Sequence, residues 1–134
     1  MPEQLVYSQV EWSKNGVPRS VQFDDFYFCT ENGLYESQYV FCEGNNLKER
    51  WQYTSDTSQT TFTIGEIGFG SGLNFLCTWQ LWQKYAPKNW ILHYISIDQF
   101  PLRAEDFYQA RDLWTEFKDL SDALGKQYDR LIHK

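Results

Sequence analysis

Apolar and polar residues alternate from Val6 to Trp12, and Lys14-Asn15-Gly16 supplies the turn chemistry of a β-hairpin that returns through Val17 to Phe23. Phe26, Tyr27 and Phe28 follow two aspartates, and Glu31-Asn32-Gly33 breaks the pattern. Beyond it, Leu34, Tyr39, Val40, Phe41 and Leu47 with polar spacers predict a helix interrupted near Gly44-Asn45-Asn46, then a short helix from Leu47 to Trp51. Residues 52–60 are rich in Ser, Thr and Asp and read as an exposed connection, dividing the chain into segments 1–60 and 61–134. Thr61 to Ile67 is a β-branched strand, and Asn74 to Tyr85 a helix whose Phe75, Leu76, Trp79 and Trp82 share a face. Ala86-Pro87-Lys88-Asn89 stops that helix. The near-continuous apolar run from Trp90 to Ile97 has the character of a parallel strand covered on both faces. A helix from Pro101 to Phe117, with Phe107, Ala110, Leu113, Trp114 and Phe117 as its stripe, and a last helix from Leu120 to Ile132 complete the pattern.

Strand, helix, strand from residue 61 to 97 is a β-α-β crossover, and its first turn carries the chemistry. Thr61 to Phe75 reads TFTIGEIGFGSGLNF, with Glu66, Gly68, Gly70 and Gly72 at alternate positions. Such a junction gathers unpaired backbone N–H groups and the positive end of a helix dipole, which suits a charged, nucleotide-like ligand. A side chain at Gly68 or Gly70 would stand between backbone and ligand. Leu73 occupies the third glycine position of a dinucleotide fingerprint, which counts against a dehydrogenase, and the Gly-Lys-Ser/Thr of a phosphate loop is absent. Glu66 at the strand end would meet an ammonium group favourably and repel a pyrophosphate. Asp98, ending the second strand, is placed to accept both hydroxyls of a ribose, with Gln99 and Phe100 beside it to meet an adenine ring. The residues alone also allow a turn kept for packing and a solvated strand-end acid.

At 134 residues the chain fits one domain with a real core, though a complete doubly wound sheet usually needs more. Aromatic residues make up 19% of it, far too many for a disordered segment. The net charge of −6 repels nucleic-acid backbones except through a local basic patch or a companion domain. Three cysteines, Cys29, Cys42 and Cys77, and two distant histidines, His93 and His133, give neither a disulfide framework nor metal-ligand spacing. Each thiol reads as buried and reduced. No run approaches the length of a membrane span and no signal peptide is present at the start, so the expectation is a soluble, cytoplasmic protein without a metal.

The acidic-x-Gly-x-Gly-x-Gly pattern resembles the first motif of class I S-adenosylmethionine-dependent methyltransferases. QFDDFYF from Gln22, ENGLYESQYVFCEGNNLKERW from Glu31, GFGSGLNFL from Gly68 and ISIDQFPL from Ile95 together resemble the methyltransferase domain of the MnmC family, the bifunctional tRNA 5-methylaminomethyl-2-thiouridine biosynthesis proteins. The resemblance runs in order through nearly all of the chain. It implies an α/β, Rossmann-like class I methyltransferase fold preceded by an N-terminal hairpin and helical segment. It also implies methylation of the aminomethyl nitrogen at carbon 5 of the tRNA wobble uridine. By motif, Glu66, Gly68, Phe69, Gly70, Gly72, Leu73 and Asn74 would line the methionine part of the cofactor and Asp98, Gln99 and Phe100 its ribose and adenine. Asp25, Tyr27 and Glu36 would neighbour the pocket, although Tyr27 reads equally as a core aromatic and Asp24 and Asp25 as turn or solvated residues. Relatives continue with further strands, an aspartate facing the reacting amine, and a domain that binds FAD. The chain is therefore expected to be the first part of a methyltransferase domain, with its catalytic aspartate beyond Lys134 and no FAD. Half of a doubly wound sheet leaves surface uncovered, so self-association through it, in an inactive interaction module, is the alternative expectation.

Overall fold

The computed structural model describes residues 4–28, 33–53, 58 and 60–132. Within residues 4–28, three short antiparallel strands, β1 (Val10–Trp12), β2 (Pro18–Ser20) and β3 (Asp25–Phe26), form a sheet in the order β1-β2-β3. The predicted hairpin is present, with Gly16 at φ +77° in its turn, but its strands are shorter than the alternation suggests and a third strand joins it. Gln9 O still accepts from Val21 N–H at 2.9 Å, but Tyr7 and Ser8 leave the sheet because they are bound elsewhere. The Ser8 N–H donates to Pro101 O at 2.9 Å and the Tyr7 hydroxyl to Ile132 O at 3.1 Å, pinning this stretch to the C-terminal part of the chain. Cys29, the Glu31-Asn32 break and His133 lie outside the described residues.

α1 (Gly33–Glu36) runs directly into π-helical turns over Ser37–Glu43, which close on a bond from Gly44 N–H to Tyr39 O. The predicted interruption follows: Asn46 sits in the left-handed region at φ +52°, and α2 (Leu47–Gln52) starts after it. Then β4 (Thr61–Ile67), α3 (Leu73–Tyr85) and β5 (Ile91–Ile97) form the crossover, with β4 and β5 parallel and in register from Thr61↔Ile91 to Ile67↔Ile97.

The run from 101 to 117 is not one helix. α4 (Ala104–Arg111) begins after Pro101, and the chain breaks at Asp112–Trp114 before a 3-10 turn (Thr115–Phe117) and α5 (Lys118–Ile132). Trp114 takes a non-helical conformation and packs edge-on against Phe28 at 5.0 Å, while Leu113 turns outward. The break thus inserts the indole into the core and lets α5 fold back on α4. There Phe107 stacks on Tyr128 at 4.0 Å, and neither ring is more than marginally exposed.

One apolar cluster draws on both sides of 52–60. Phe28, Cys42, Leu47 and Trp51 meet Phe62, Leu76, Cys77 and Trp90 in it. α3 and the π-helical segment cover one face of β4 and β5. The other face does not match the expectation of double cover: Ile67, Ile91, Ile95 and Ile97 are 94%, 59%, 58% and 67% exposed. A continuous apolar run cannot by itself say how many faces have a neighbour.

Both described thiols are free and buried. Burial pushes the Cys77 thiol from 9.0 up to about 12, with the neighbouring Cys42 and Glu116 adding to it, and burial raises Cys42 also. A raised thiol favours the folded state wherever it stays protonated, so that stabilisation is complete below pH 9. It is lost between pH 9 and about 12, because the unfolded thiol ionises first. Urea midpoints measured from pH 7.5 to 11 should therefore be flat at first. Above pH 9 they should fall, the unfolding free energy dropping by up to about 1.4 kcal/mol per pH unit through Cys77, and Cys77→Ala should flatten the fall.

Candidate functional site

The glycine turn is present where the sequence places it, but the unpaired N–H groups expected there are not: those of Gly68, Gly70 and Gly72 are taken by Ile97 O, Asp98 Oδ2 and Phe69 O. Gly68, Gly70 and Gly72 all lie at positive φ, +87°, +55° and +80°. Side chains other than glycine rarely adopt these angles. A Cβ on Gly68 would meet no protein atom within 4 Å, because that position opens on a cavity; one on Gly72 would press on Phe69 and Leu124 at 3.0 and 3.1 Å. Gly70 lies under the Tyr27 ring. The turn is tied to both strand ends: Gly68 N–H donates to Ile97 O at 2.7 Å, and Gly70 N–H to Asp98 Oδ2 at 2.9 Å. The other oxygen of Asp98 accepts from Phe100 N–H at 3.0 Å. Asp98 therefore staples the β4–α3 turn to the segment after β5.

Above this turn is a cavity of about 700 Å³, a size that suits a small-molecule ligand. The crossover lines it with Gly68, Phe69, Gly70, Leu73 and Asn74, and the segment after β5 with Asp98 and Phe100. Asp25, Tyr27 and Glu36 close the opposite side, so the N-terminal 60 residues contribute a wall. The charged side chains on the described lining are Asp25, Glu36 and Asp98, and no Lys, Arg or His is among them. The lining is accordingly matched to a cation and hostile to a phosphate.

Three nominated residues sit off the wall. Glu66 is buried, 7% exposed, and its carboxylate accepts from Asn74 Nδ2 at 3.0 Å and from Ser96 Oγ at 2.9 Å. Its charge stands behind Asn74. Gly72 faces Phe69 and Leu124, and Gln99 is exposed. Tyr27 is half-buried; burial foremost raises its hydroxyl above the ordinary range, and that hydroxyl bonds to Ser8 Oγ. Tyr94 lies beside Glu66 on the covered face, where burial and then the carboxylate keep its hydroxyl protonated.

Sequence reasoning did not nominate Phe23, Phe26, Ser37, Val40, Phe41 or Ser71, all of which line the cavity. Ser71 lies inside the glycine motif and was within reach of it. Val40 and Phe41 depend on the wide turns of residues 37–43, which no periodicity announces. A second cavity of about 930 Å³ lies at the far end of α3, with Lys48, Lys84, Glu43 and Glu49 in its lining. It lacks a strand-end turn or a concentration of one charge. Among the described residues no cluster of His, Cys, Asp and Glu could hold a metal, and no helix is long and apolar enough to cross a membrane.

No protein-family model matches the chain. It is 44% identical over 124 residues to the tRNA 5-methylaminomethyl-2-thiouridine biosynthesis bifunctional protein MnmC of Legionella pneumophila strain Lens, covering 92% of this chain and 18% of that protein. It is 46% identical over 125 residues to the protein of the same name from Methylobacillus flagellatus, covering 93% of this chain and 19% of that protein. Pseudomonas aeruginosa MnmC matches at 43% over 122 residues, 91% of this chain and 18% of that one. The crystal structure of MNMC2 from Aquifex aeolicus superposes with a TM-score of 0.50 at 20% identity, over 75% of this chain and 33% of that one. At that identity the superposition speaks to the fold alone, an α/β architecture with a parallel crossover. Along nine-tenths of its length this chain is similar in sequence to MnmC proteins, on an α/β scaffold with a parallel crossover, and it spans about 18% of the MnmC proteins it matches.

Proposed function

We propose that this chain is the S-adenosylmethionine-binding part of a methyltransferase acting on tRNA. The reaction methylates the aminomethyl nitrogen at carbon 5 of the wobble uridine. The observation that carries the cofactor assignment is the cavity over the β4–α3 turn: open backbone at Gly68, with carboxylates as the charged groups of the lining. A ligand bearing a sulfonium and an ammonium is cationic and fits that field, whereas a pyrophosphate does not. The substrate and the reaction rest on the name and sequence of the relatives.

In this reading Gly68, Gly70 and Asn74 would hold the amino-acid end, Asp98 the ribose hydroxyls and Phe100 a face of the adenine. Glu66 would act one step back, fixing the Asn74 amide with one oxygen and the end of β5, through Ser96, with the other. When bound, the cofactor supplies a methyl group on positively charged sulfur. The protein holds the amine in line with it, and holding a reacting pair in place is a large part of such catalysis. Segment 1–60 supplies one wall and 61–134 the cofactor turn. A tRNA substrate places the work in the cytoplasm, and neither a metal nor FAD takes part in this segment.

Titration calorimetry with S-adenosylmethionine and S-adenosylhomocysteine tests the assignment. The unmodified chain should bind both, and Gly68→Val, which fills the open position at a φ valine rarely adopts, should abolish binding. Failure of the unmodified chain to bind, or undiminished binding by Gly68→Val, would refute it.

A second reading is favoured by the exposed isoleucines on β4 and β5: a non-catalytic module that pairs with a second copy of itself across that face. Sedimentation velocity separates the two. A dimer that forms without ligand and dissociates in Ile95→Lys, in a chain that ignores the adenosyl compounds, would favour the module.

A further inference from the structure

We infer that Phe23 and Phe26, at the mouth of the cavity, form a stacking platform for an unpaired nucleobase presented to the methyl donor; this rests on the methyltransferase reading above. Both rings line the cavity, yet they are 65% and 56% exposed. Large aromatic side chains normally bury most of their surface, so two of them held open beside one cavity mark a contact surface.

The local structure is built to hold them there. Asp24, between the two rings, lies at φ +50°, a left-handed turn conformation that aspartate adopts more readily than most side chains. Arg19 fixes it, pairing with the Asp24 carboxylate on one side and with Glu11 at 2.6 Å on the other. Asp25 Oδ1 accepts from Phe26 N–H at 2.8 Å, and Ser20 Oγ accepts from Phe23 N–H at 3.3 Å. The turn before β3 is thereby locked with Phe23 inclined against Phe100, ring centres 5.8 Å apart, on the side where the adenine would lie.

Charge selects what can lie on the platform. Asp25, Glu36 and Asp98 keep phosphates out of the cavity, and the net charge of −6 gives an RNA backbone little to hold. Arg19 is already engaged by two carboxylates. What can enter is a neutral base with a cationic aminomethyl arm, turned out of its strand. Unpaired RNA bases are commonly recognised by stacking on aromatic rings, and every base offers a π-face.

Photocrosslinking of a short single-stranded RNA with one central 5-iodouridine, in the presence of S-adenosylhomocysteine, tests this. The crosslinked peptide should contain Phe23 or Phe26. The double variant Phe23→Ala/Phe26→Ala should lower the yield by about tenfold or more, with a much smaller loss of S-adenosylhomocysteine affinity. Phe23→Tyr/Phe26→Tyr should restore crosslinking, and Phe23→Leu/Phe26→Leu should not, because the contact needs a ring. Crosslinks elsewhere, none at all, full rescue by leucine, or an equal loss of both ligands would each overturn the platform. If the unmodified chain does not bind S-adenosylhomocysteine, it is the methyltransferase reading that fails instead.

Discussion

Asp98→Ala is expected to weaken S-adenosylhomocysteine binding by about two orders of magnitude, read by calorimetry, in a chain that still folds cooperatively. Both oxygens of Asp98 accept backbone N–H groups, from Gly70 and Phe100. Hydrogen bonds to a charged partner are worth about 1.5–3 kcal/mol each. Losing two of them releases the turn that presents the glycines. Losing the carboxylate also removes the acceptor proposed for the ribose, and about 2.7 kcal/mol of that total suffices for a hundredfold change in affinity. Folding survives because the staple lies at the rim of the cavity and not in the core. Asp98→Asn should fall between, since its amide keeps one acceptor but turns an N–H donor toward one of the two N–H groups. Equal affinity in Asp98→Ala and the unmodified chain would remove Asp98 from the site.

Trp51→Ala should have the largest effect on stability, about 3–5 kcal/mol by urea denaturation. Trp51 is 1% exposed and meets Phe62 of β4 at 5.6 Å and Trp82 of α3 at 5.0 Å, both edge-on. Its removal opens a hole where α2, β4 and α3 meet. Small domains are stable by about 5–15 kcal/mol in all, so the variant should be partly unfolded at 37 °C. Trp51→Phe should cost less than half as much. The indole Nε1 is buried without a hydrogen-bond partner among the described residues, so phenylalanine keeps most of the ring and removes an unsatisfied donor. Similar losses for both variants would mean that the indole N–H has a partner after all.

These two residues also show what the sequence could disclose. The place of Asp98 was legible because it depends on a local rule: an acid after the second strand of a crossover lies at the crest where the first βα turn opens, whereas its bonds to Gly70 and Phe100 were not. The glycines were legible for the same reason, and β4, α3 and β5 fall almost where their patterns place them. Trp51 was assigned to a helix, but its partners at positions 62 and 82 follow from tertiary packing that periodicity does not encode. The break at Trp114 was hidden in the same way, because Ala110, Leu113, Trp114 and Phe117 share a helical stripe whether or not the helix continues. Glu66 shows a further limit. Its place at the end of β4 was correct, but only the neighbours Asn74 and Ser96 decide that it faces inward. Phe23 and Phe26 were within the family-like QFDDFYF block, yet nothing in their composition distinguishes a displayed ring from a buried one.

The wide turns of Ser37–Glu43 follow the usual anatomy of an insertion, with one residue more than an α-helix of the same rise would hold. Shortening that stretch by a single codon would let it rewind to the regular pitch at the same rise, so that the chain beyond keeps its register and the side chains within the wide turns move, by up to about 100° each. Phe41, now against Tyr94, and Val40, now facing the cavity, would trade places with their neighbours. The length of this segment is therefore a determinant of the wall it builds, and its register tolerates substitution far better than deletion.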